Sequence, residues 1–287
     1  MRTRSLELSK YLYLLPAIAF LCVLTLYPFA QSIIWSFYQY DPAKSIYKFI
    51  GLGNFSDYLL GDRFLGNAVN TFTFAFSTTG ASFLIGLIVA LVLNRKLRGT
   101  PIFRVILLLP LMMAPVAAGL FWKFLYNADI GLIPQLLSYI GIPRTDWTAN
   151  PSLALFSVVV VDLWEWTPFM ILLLLAGMQA IPLEPYESAR IDGASSWQLL
   201  TRITLPQMKS TIAIAVLIRF MDALRAFDIL WMLTQGGPGR VSETISVTAF
   251  IYLYLNYHVG YSAAIAVIMI IITTGISMGF VRYLTRK

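Results

Sequence analysis

The chain has 287 residues, of which 58% are hydrophobic and 12% charged, and its formal net charge is +7. Soluble domains carry about 25% charged residues, so this composition, with a mean hydropathy of +0.74, excludes an ordinary soluble protein and indicates several membrane-spanning helices. The single cysteine, Cys22, excludes an internal disulfide bond.

Apolar stretches recur along the whole chain and leave no segment for a large soluble domain. Each is long enough to cross roughly 30 Å of hydrocarbon as a helix, and none alternates as the strands of a barrel do. They predict an all-α membrane protein with one transmembrane domain over residues 1–287. A shorter aromatic stretch, 244–258, predicts an interfacial helix. The six predicted spans are 11–37, 67–93, 105–125, 152–178, 210–234 and 261–283.

Basic residues are distributed unevenly between the two sides of these spans. Thirteen Lys and Arg lie in the N-terminus, the 94–104 connection, the 179–209 connection and the C-terminus, against five on the other side. By the positive-inside rule, both termini and the 179–209 loop are predicted to be cytoplasmic. The N-terminal apolar run is too long for a signal peptide and lacks a small-residue cleavage site, so we interpret it as an uncleaved span.

Small residues and prolines inside the spans predict how the helices pack. Ser82, Gly86 and Ala90 recur every four residues in the second span, as Gly275 and Gly279 do in the sixth. Such spacing lets helix backbones approach closely, so we expect packing rather than ligand binding at both stripes. Prolines within spans predict kinks; they are Pro16, Pro28, Pro110, Pro115 and Pro168.

Several kinds of chemistry lack the residues they would need. No Gly-x-x-x-x-Gly-Lys-Ser/Thr loop is present to hold ATP phosphates. The only histidine, His258, cannot form a zinc-binding pair and has no nucleophile motif to serve. The sequence therefore predicts a protein that is not an enzyme, with no catalytic residue, no metal site and no cofactor bound to this chain.

Charged side chains interrupt the apolar runs of the fourth and fifth spans. In the fifth, Arg219, Asp222, Arg225 and Asp228 recur every three residues, so neighbours in this series can pair along one helix. A charge at the bilayer centre costs at least about 2.5–3.5 kcal/mol unless it is paired or hydrated. The fourth span carries Asp162 and Glu165 at similar depth, flanked by Trp164 and Trp166.

Two interpretations of these charges stay open. The acids and bases can simply neutralise one another, or they can line a water-filled path whose polar groups bind hydroxyls while aromatic faces stack on sugar rings. On the second interpretation the candidate pathway residues are Asp162, Trp164, Glu165, Asp222, Arg225 and Asp228.

The loop at 179–209 is predicted to form two short helices. Pro185 cannot lie in a helix interior, and Glu187 then falls in a first turn, where the helix dipole favours a carboxylate. Gly193 allows a sharp turn, and Pro206 ends the second helix. Such an element must pack on something, and because the chain has no soluble domain of its own, a partner protein is the natural candidate.

The same loop resembles the permease signature of bacterial ATP-binding-cassette (ABC) importers, Glu-Ala-Ala-x3-Gly-x9-Ile-x-Leu-Pro. Glu187-Ser188-Ala189, Gly193 and the run from Ile203 to Pro206 match it at every spacing, with Ser188 in place of the first alanine. Further stretches resemble the carbohydrate-uptake branch, in the maltose-permease F-like and glycerol-phosphate permease A-like type. They are 166–198, 227–239 and 260–267.

This resemblance implies a type I importer permease with six transmembrane helices and a cytoplasmic coupling helix at 184–200. It implies a half-transporter of the bacterial inner membrane that pairs with a second, related permease. It also implies two partner ATPases, which bind ATP and Mg, and an extracytoplasmic solute-binding protein. The implied ATPase-coupling residues are Glu187, Ser188, Ala189, Asp192, Gly193, Ile203, Leu205 and Pro206.

Transport alternatives remain at two levels. A stand-alone secondary transporter or channel for a polar solute would fit the intramembrane charges but would leave the loop signature unexplained. Within the importer interpretation, the solute can be a neutral oligosaccharide, a polyol, an anionic sugar or glycerol phosphate.

Overall fold

The computed structural model describes residues 13–95 and 99–285. They form two compact units. One combines the chain up to Phe64 with Thr248–Ile271, and the other combines Leu65–Val247 with the chain from Ile272 onward. Residues 11 and 12 of the first predicted span lie outside the described residues.

The helices are numbered here in chain order. The first half of the chain has α1 Tyr13–Ser36, α2 Gly53–Leu59, α3 Asp62–Leu93, α4 Thr100–Leu108, α5 Pro115–Tyr126 and α6 Leu132–Ser138. The second half has α7 Ala154–Gln179, α8 Glu184–Ile191, α9 Ser196–Gln207, α10 Lys209–Leu224, α11 Asp228–Thr234, α12 Ile245–Leu255 and α13 Val259–Thr285.

A small hairpin follows α1 and corrects the all-helical prediction. Strand β1 (Tyr38–Asp41) pairs antiparallel with β2 (Ile46–Phe49), with Tyr38 opposite Phe49. The rings of Tyr38 and Tyr47 stack with centroids 4.6 Å apart. Aromatic residues favour strands because they pack well across a pleated surface, so the aromatic residues of Tyr38–Asp41 and Ile46–Phe49 are the signal in the sequence for this hairpin.

Asp41 closes the turn of this hairpin. Its Oδ1 accepts a hydrogen bond of 3.1 Å from the backbone N–H of Lys44. Its Oδ2 lies 3.4 Å from Lys44 Nζ. Burial by itself raises the pKa of Asp41, but the hydrogen bonds and the charge of Lys44 outweigh it, so the pKa is lowered from its ordinary value.

Four described helices are long and apolar enough to cross a membrane: Tyr13–Ser36, Asp62–Leu93, Ala154–Gln179 and Val259–Arg282. They correspond to the first, second, fourth and sixth predicted spans. A fifth is obtained if α9 and α10, which meet at a bend of 69°, are counted as one broken span. The predicted number of six is therefore not reproduced by continuous helices in the described residues.

The third and fifth predicted spans are broken. Between α4 and α5, the chain forms a 3-10 turn at Pro110–Met112, and α5 begins at Pro115. Proline lacks an N–H donor and clashes with the preceding turn, so α4 ends before Pro110, whereas Pro115 occupies the first turn of α5, where no N–H donor is needed. The fifth span breaks between Leu224 and Asp228, where α10 ends and α11 begins.

Helix α7 forms the core of the second unit and packs on α5, α10 and α11. The small stripe on α3 faces this core: Ser82, Gly86 and Ala90 are buried. A Cβ added at Gly86 would lie 2.8 Å from Met170 Cγ, so the packing predicted for this stripe is present. The stripe on α13 differs, since a Cβ at Gly275 or Gly279 would meet nothing within 4 Å.

Candidate functional site

The intramembrane charges meet where α7 packs on α10. Asp162 and Glu165, one turn apart on α7, are each 2% exposed, and Arg219 on α10 is 1% exposed. Arg219 Nη2 donates a hydrogen bond to Asp162 Oδ1. Arg219 Nη1 also lies 3.5 Å from Asp222 Oδ2, one turn further along α10. One guanidinium thus joins two helices and contacts two carboxylates.

The sequence of α10 explains why Arg219 turns inward. Ala215 and Ala223 lie four residues before and after it, on the same face of the helix, and both are buried. Alanines one turn above and below let α10 approach α7 closely and leave room for the long arginine side chain. Arg219 also lies over the ring of Trp166, with Cζ 5.6 Å from the centroid, a distance suited to a cation–π contact.

Part of this cluster is not satisfied by the described protein atoms. Three buried atoms on α7 and α10 have no hydrogen-bond partner in the described part of the chain: Glu165 Oε2, Thr167 Oγ1 and Arg219 Nε. A buried polar group without a partner costs about 1–3 kcal/mol. These buried atoms leave the cluster with donors and acceptors that an internal water could satisfy.

A row of aromatic rings leads away from the cluster. Trp164 of α7 contacts Trp122 of α5 edge to face, with centroids 5.6 Å apart. Trp122 contacts Tyr126 at 5.5 Å, and Tyr126 stacks on Trp147 at 5.2 Å with an angle of 10° between the rings. The hydroxyl of Tyr126 donates to the carbonyl of Ser157 at 3.2 Å, which fixes the middle of the row.

The six predicted pathway residues fall into three groups. Asp162 and Asp222 contact Arg219, Glu165 lies one turn from Asp162 on α7, and Trp164 begins the aromatic row. Arg225 and Asp228 are exposed at the break between α10 and α11. The structure thus brings four of the six to one region and leaves two at the break.

The pairing predicted within the fifth span is correct only for its first step. Arg219 and Asp222 are close, but within residues 13–95 and 99–285 no ion pair joins Asp222 to Arg225 or Arg225 to Asp228. A spacing of three residues brings side chains together only within a continuous helix, and α10 ends at Leu224. Arg225 Nε instead donates to the carbonyl of Met221 at 3.1 Å.

Arg219 was missing from the predicted pathway residues, although it is the centre of the cluster. Its partner Asp162 lies 57 positions earlier, and sequence spacing within one helix says nothing about contacts between helices. The alanines on either side were the available signal. Trp122, Tyr126 and Trp147 were missed for the same reason.

The polar loop has the predicted form of two short helices. Pro185 lies in the first turn of α8, and Gly193 turns the chain at φ +80°. Ser195 caps α9: its Oγ accepts from the Gln198 backbone N–H at 3.3 Å, and Gln198 Oε1 accepts from the Ser195 backbone N–H at 2.7 Å. The Tyr186 and Thr204 hydroxyls share a 2.9 Å hydrogen bond that ties α8 to α9.

One stripe along α8 is exposed, with an apolar residue at each end and Glu187 between them. Leu183, Glu187 and Ile191 follow one another at intervals of four residues, which places them on one stripe. Leu183 is 69% and Ile191 is 87% exposed, and Glu187 between them is exposed as well. Of the other predicted coupling residues, Ser188, Asp192, Gly193 and Pro206 are exposed, whereas Ala189, Ile203 and Leu205 are partly buried.

Comparison with known proteins gives consistent matches over most of the chain. The model of the family described as binding-protein-dependent transport system inner membrane component matches residues 59–287. The trehalose/maltose transport system permease protein MalF of Thermococcus litoralis is 36% identical over 267 residues, which is 92% of this chain and 90% of that protein. The trehalose transport system permease protein SugA of Mycobacterium tuberculosis is 34% identical, covering 90% and 83%.

A solved structure has the same fold. It is the crystal structure of a bacterial ABC transporter involved in the import of the acidic polysaccharide alginate, and one of its chains superposes with a TM-score of 0.87. The superposition covers 100% of this chain and 99% of that one at 22% sequence identity, so the likeness concerns the fold.

Proposed function

Since the chain belongs to the family of binding-protein-dependent transport system inner membrane components, and is therefore a permease subunit of an ABC importer, we propose that its solute is a sugar or a similar polyhydroxylated molecule. The observation that carries this proposal is the aromatic row beginning at Trp164 of α7, the helix that also carries Asp162 and Glu165. Sugar rings stack their C–H faces on such rings, and their hydroxyls need both donors and acceptors.

The charges of the cluster favour a neutral sugar over an anionic one. The Arg219 guanidinium already pairs with two carboxylates, those of Asp162 and Asp222, and Glu165 adds a third acidic group one turn from Asp162. A phosphorylated or acidic solute would find no free cation in the cluster itself. The relatives named for trehalose and maltose transport support the same choice, because both sugars are uncharged.

We propose that the stripe of Leu183, Glu187 and Ile191 on α8 is the docking face for a partner ATPase. Exposed leucine and isoleucine side chains on a short polar loop gain stability when a groove covers them, and Glu187 between them suits a basic residue of the partner. The pathway would be completed by a second permease subunit, with two ATPases that bind ATP and Mg and an extracytoplasmic protein that delivers the solute.

The proposed arrangement in the membrane has both termini and the α8–α9 loop on the cytoplasmic side, as the distribution of Lys and Arg indicates. Residues 1–287 would form one permease domain, which is consistent with relatives that match more than nine-tenths of the chain. ATP-driven closure of the ATPases would then move the permease subunits as rigid bodies and switch access from outside to inside.

The test of the solute is uptake by the complete importer in proteoliposomes with its binding protein. We expect ATP-dependent uptake of a neutral disaccharide or polyol, with no uptake of amino acids or glycerol phosphate. If the binding protein retains only amino acids, peptides or inorganic ions, the sugar proposal is wrong. Retention of glycerol phosphate or an acidic sugar would contradict the preference for a neutral solute.

A further inference from the structure

A cavity of about 320 Å³ lies between the end of α3 and the loop helices α8 and α9. Two arginines line it, Arg95 just after the end of α3 and Arg190 on α8. Among residues 13–95 and 99–285, neither arginine forms an ion pair with a carboxylate. Two unneutralised cations on one cavity favour an anionic ligand.

The rest of the wall is largely apolar. Leu91, Leu199 and Leu200 contribute aliphatic surface, and Trp197, which is 71% exposed, stands at the rim. A free phosphate or carboxylate would use only the arginines. A molecule with an anionic head and an aliphatic body would use the whole wall.

The cavity and the proposed ATPase-docking stripe use different sides of α8. Tyr186 and Arg190 face the cavity, whereas Glu187 and Ile191 lie on the open stripe. Tyr186 precedes Glu187 by one residue, and Arg190 precedes Ile191 by one residue. A step of one residue corresponds to a rotation of about 100° around a helix. An ATPase whose contacts are limited to the stripe would therefore leave the cavity side of α8 uncovered.

We propose that this cavity binds the headgroup of an anionic phospholipid, with Arg95 and Arg190 holding the phosphate and the leucines contacting the glycerol and upper acyl carbons. Basic pockets beside membrane helices on the cytoplasmic side are suited to such headgroups, and tryptophan is favoured at the same depth. The lipid would join the end of a membrane span to the coupling loop. The proposal requires the loop to lie at the membrane surface, but it is independent of the solute.

Native mass spectrometry of the complete importer, delipidated and then supplied with phosphatidylglycerol or phosphatidylcholine, tests this site. We expect preferential retention of phosphatidylglycerol. Each arginine replaced by alanine should weaken retention about fivefold, and R95A/R190A roughly thirtyfold. R95K/R190K should keep most of the binding because it keeps the charge. Arg202→Ala is the matched control, since this exposed arginine of α9 lies outside the cavity.

Equal retention by the wild type and R95A/R190A would overturn the proposal, as would equal binding of the two lipids. Inorganic phosphate distinguishes the source of the anion: displacement of phosphatidylglycerol by millimolar phosphate would assign the cavity to a soluble anion and reject the lipid. Should the double variant fail to assemble, the two single variants and the lysine pair provide the same comparison.

Discussion

The α7–α10 contact and the α8 stripe both depart from the usual distribution, in which charged side chains are exposed and apolar side chains are buried. The first buries Arg219 and Asp162 inside apolar spans, and the second exposes Leu183 and Ile191 on a polar loop. The buried charges are neutralised within this chain. The exposed side chains are covered by nothing in the described chain, and for that reason they indicate a partner.

The two regions show that a residue can be required either for the stability of the chain or for its assembly and activity. Removing one member of a buried pair damages the chain itself, because the other charge is left uncompensated. Removing a residue from an exposed stripe leaves the chain intact and damages only its assembly or its activity. Stability and transport measurements on matched variants can tell these two outcomes apart.

The largest expected effect is that of Arg219→Ala. It leaves Asp162 buried without its partner, which we expect to cost about 3–5 kcal/mol of stability, and the yield of folded protein should fall sharply. Arg225→Ala is the matched control, because this arginine lies just after the end of α10 and is exposed. Its effect on the free energy of unfolding should stay within about 0.5 kcal/mol. Thermal unfolding in detergent measures both. Equal effects of the two changes would contradict the assigned role of the buried pair.

Glu187→Ala tests the exposed region. We expect ATP-driven uptake to fall roughly tenfold to a hundredfold, as for the loss of a hydrogen bond to a charged group, while the melting temperature of the subunit stays unchanged. Ile191→Asp should act in the same direction. Co-purification of the ATPase measures docking directly. Ser188→Ala, which introduces the alanine that the importer signature has at this position, should retain activity; normal uptake and docking in the Glu187 variant would refute the docking face.

Trp164→Ala probes the aromatic row. Loss of one stacking surface is worth roughly twofold to tenfold in apparent KM for the solute, without loss of assembly. Trp164→Phe retains a ring and should recover most of the affinity. If both variants transport the solute as the wild type does, the row is a packing feature only.

Asp228→Ala tests whether the residues at the break belong to the pathway. Asp228 is exposed at the start of α11, so its removal should impair uptake with the complex still assembled. Unchanged uptake kinetics would mean that Asp228 is not part of the pathway and that the intramembrane charges only neutralise one another around Arg219.

The smallest effect is expected at Asp41. Because its pKa is lowered in the folded protein, its carboxylate stabilises the hairpin above the ordinary value of 3.8, and this contribution is lost as the pH falls through the folded pKa. Asp41→Asn should therefore show a smaller loss of melting temperature than the wild type on acidification below pH 3.8. An identical acid dependence of the two proteins would contradict the role of Lys44 as its partner.

The sequence was most informative where the determinants are local. The turn at Gly193, the start of α8 at Pro185 and the spacing from Glu187 to Pro206 are properties of consecutive residues, and the importer-permease family and fold predicted from them are confirmed. Four of the six predicted spans are continuous helices for a similar reason, since length and apolarity are enough to identify them.

Contacts between elements could not be predicted in the same way. The pairing of Arg219 with Asp162, the aromatic row and the cavity at Arg95 all depend on how helices approach one another. The breaks at Pro110 and Leu224 depend on whether neighbouring segments compensate for lost backbone hydrogen bonds. A proline inside a span does not by itself predict a break, because Pro168 lies inside the unbroken α7, whereas Pro110 follows the end of a helix.

The 69° bend between α9 and α10 gives the loop a mechanical property. Met208 lies at the elbow, 1% exposed, and Gly177 of α7 is so close that an added Cβ would lie 2.8 Å from Thr211. Packing this tight makes the joint between α9 and α10 stiff. We therefore expect a displacement of α9 to be transmitted to α10, the helix that carries Arg219.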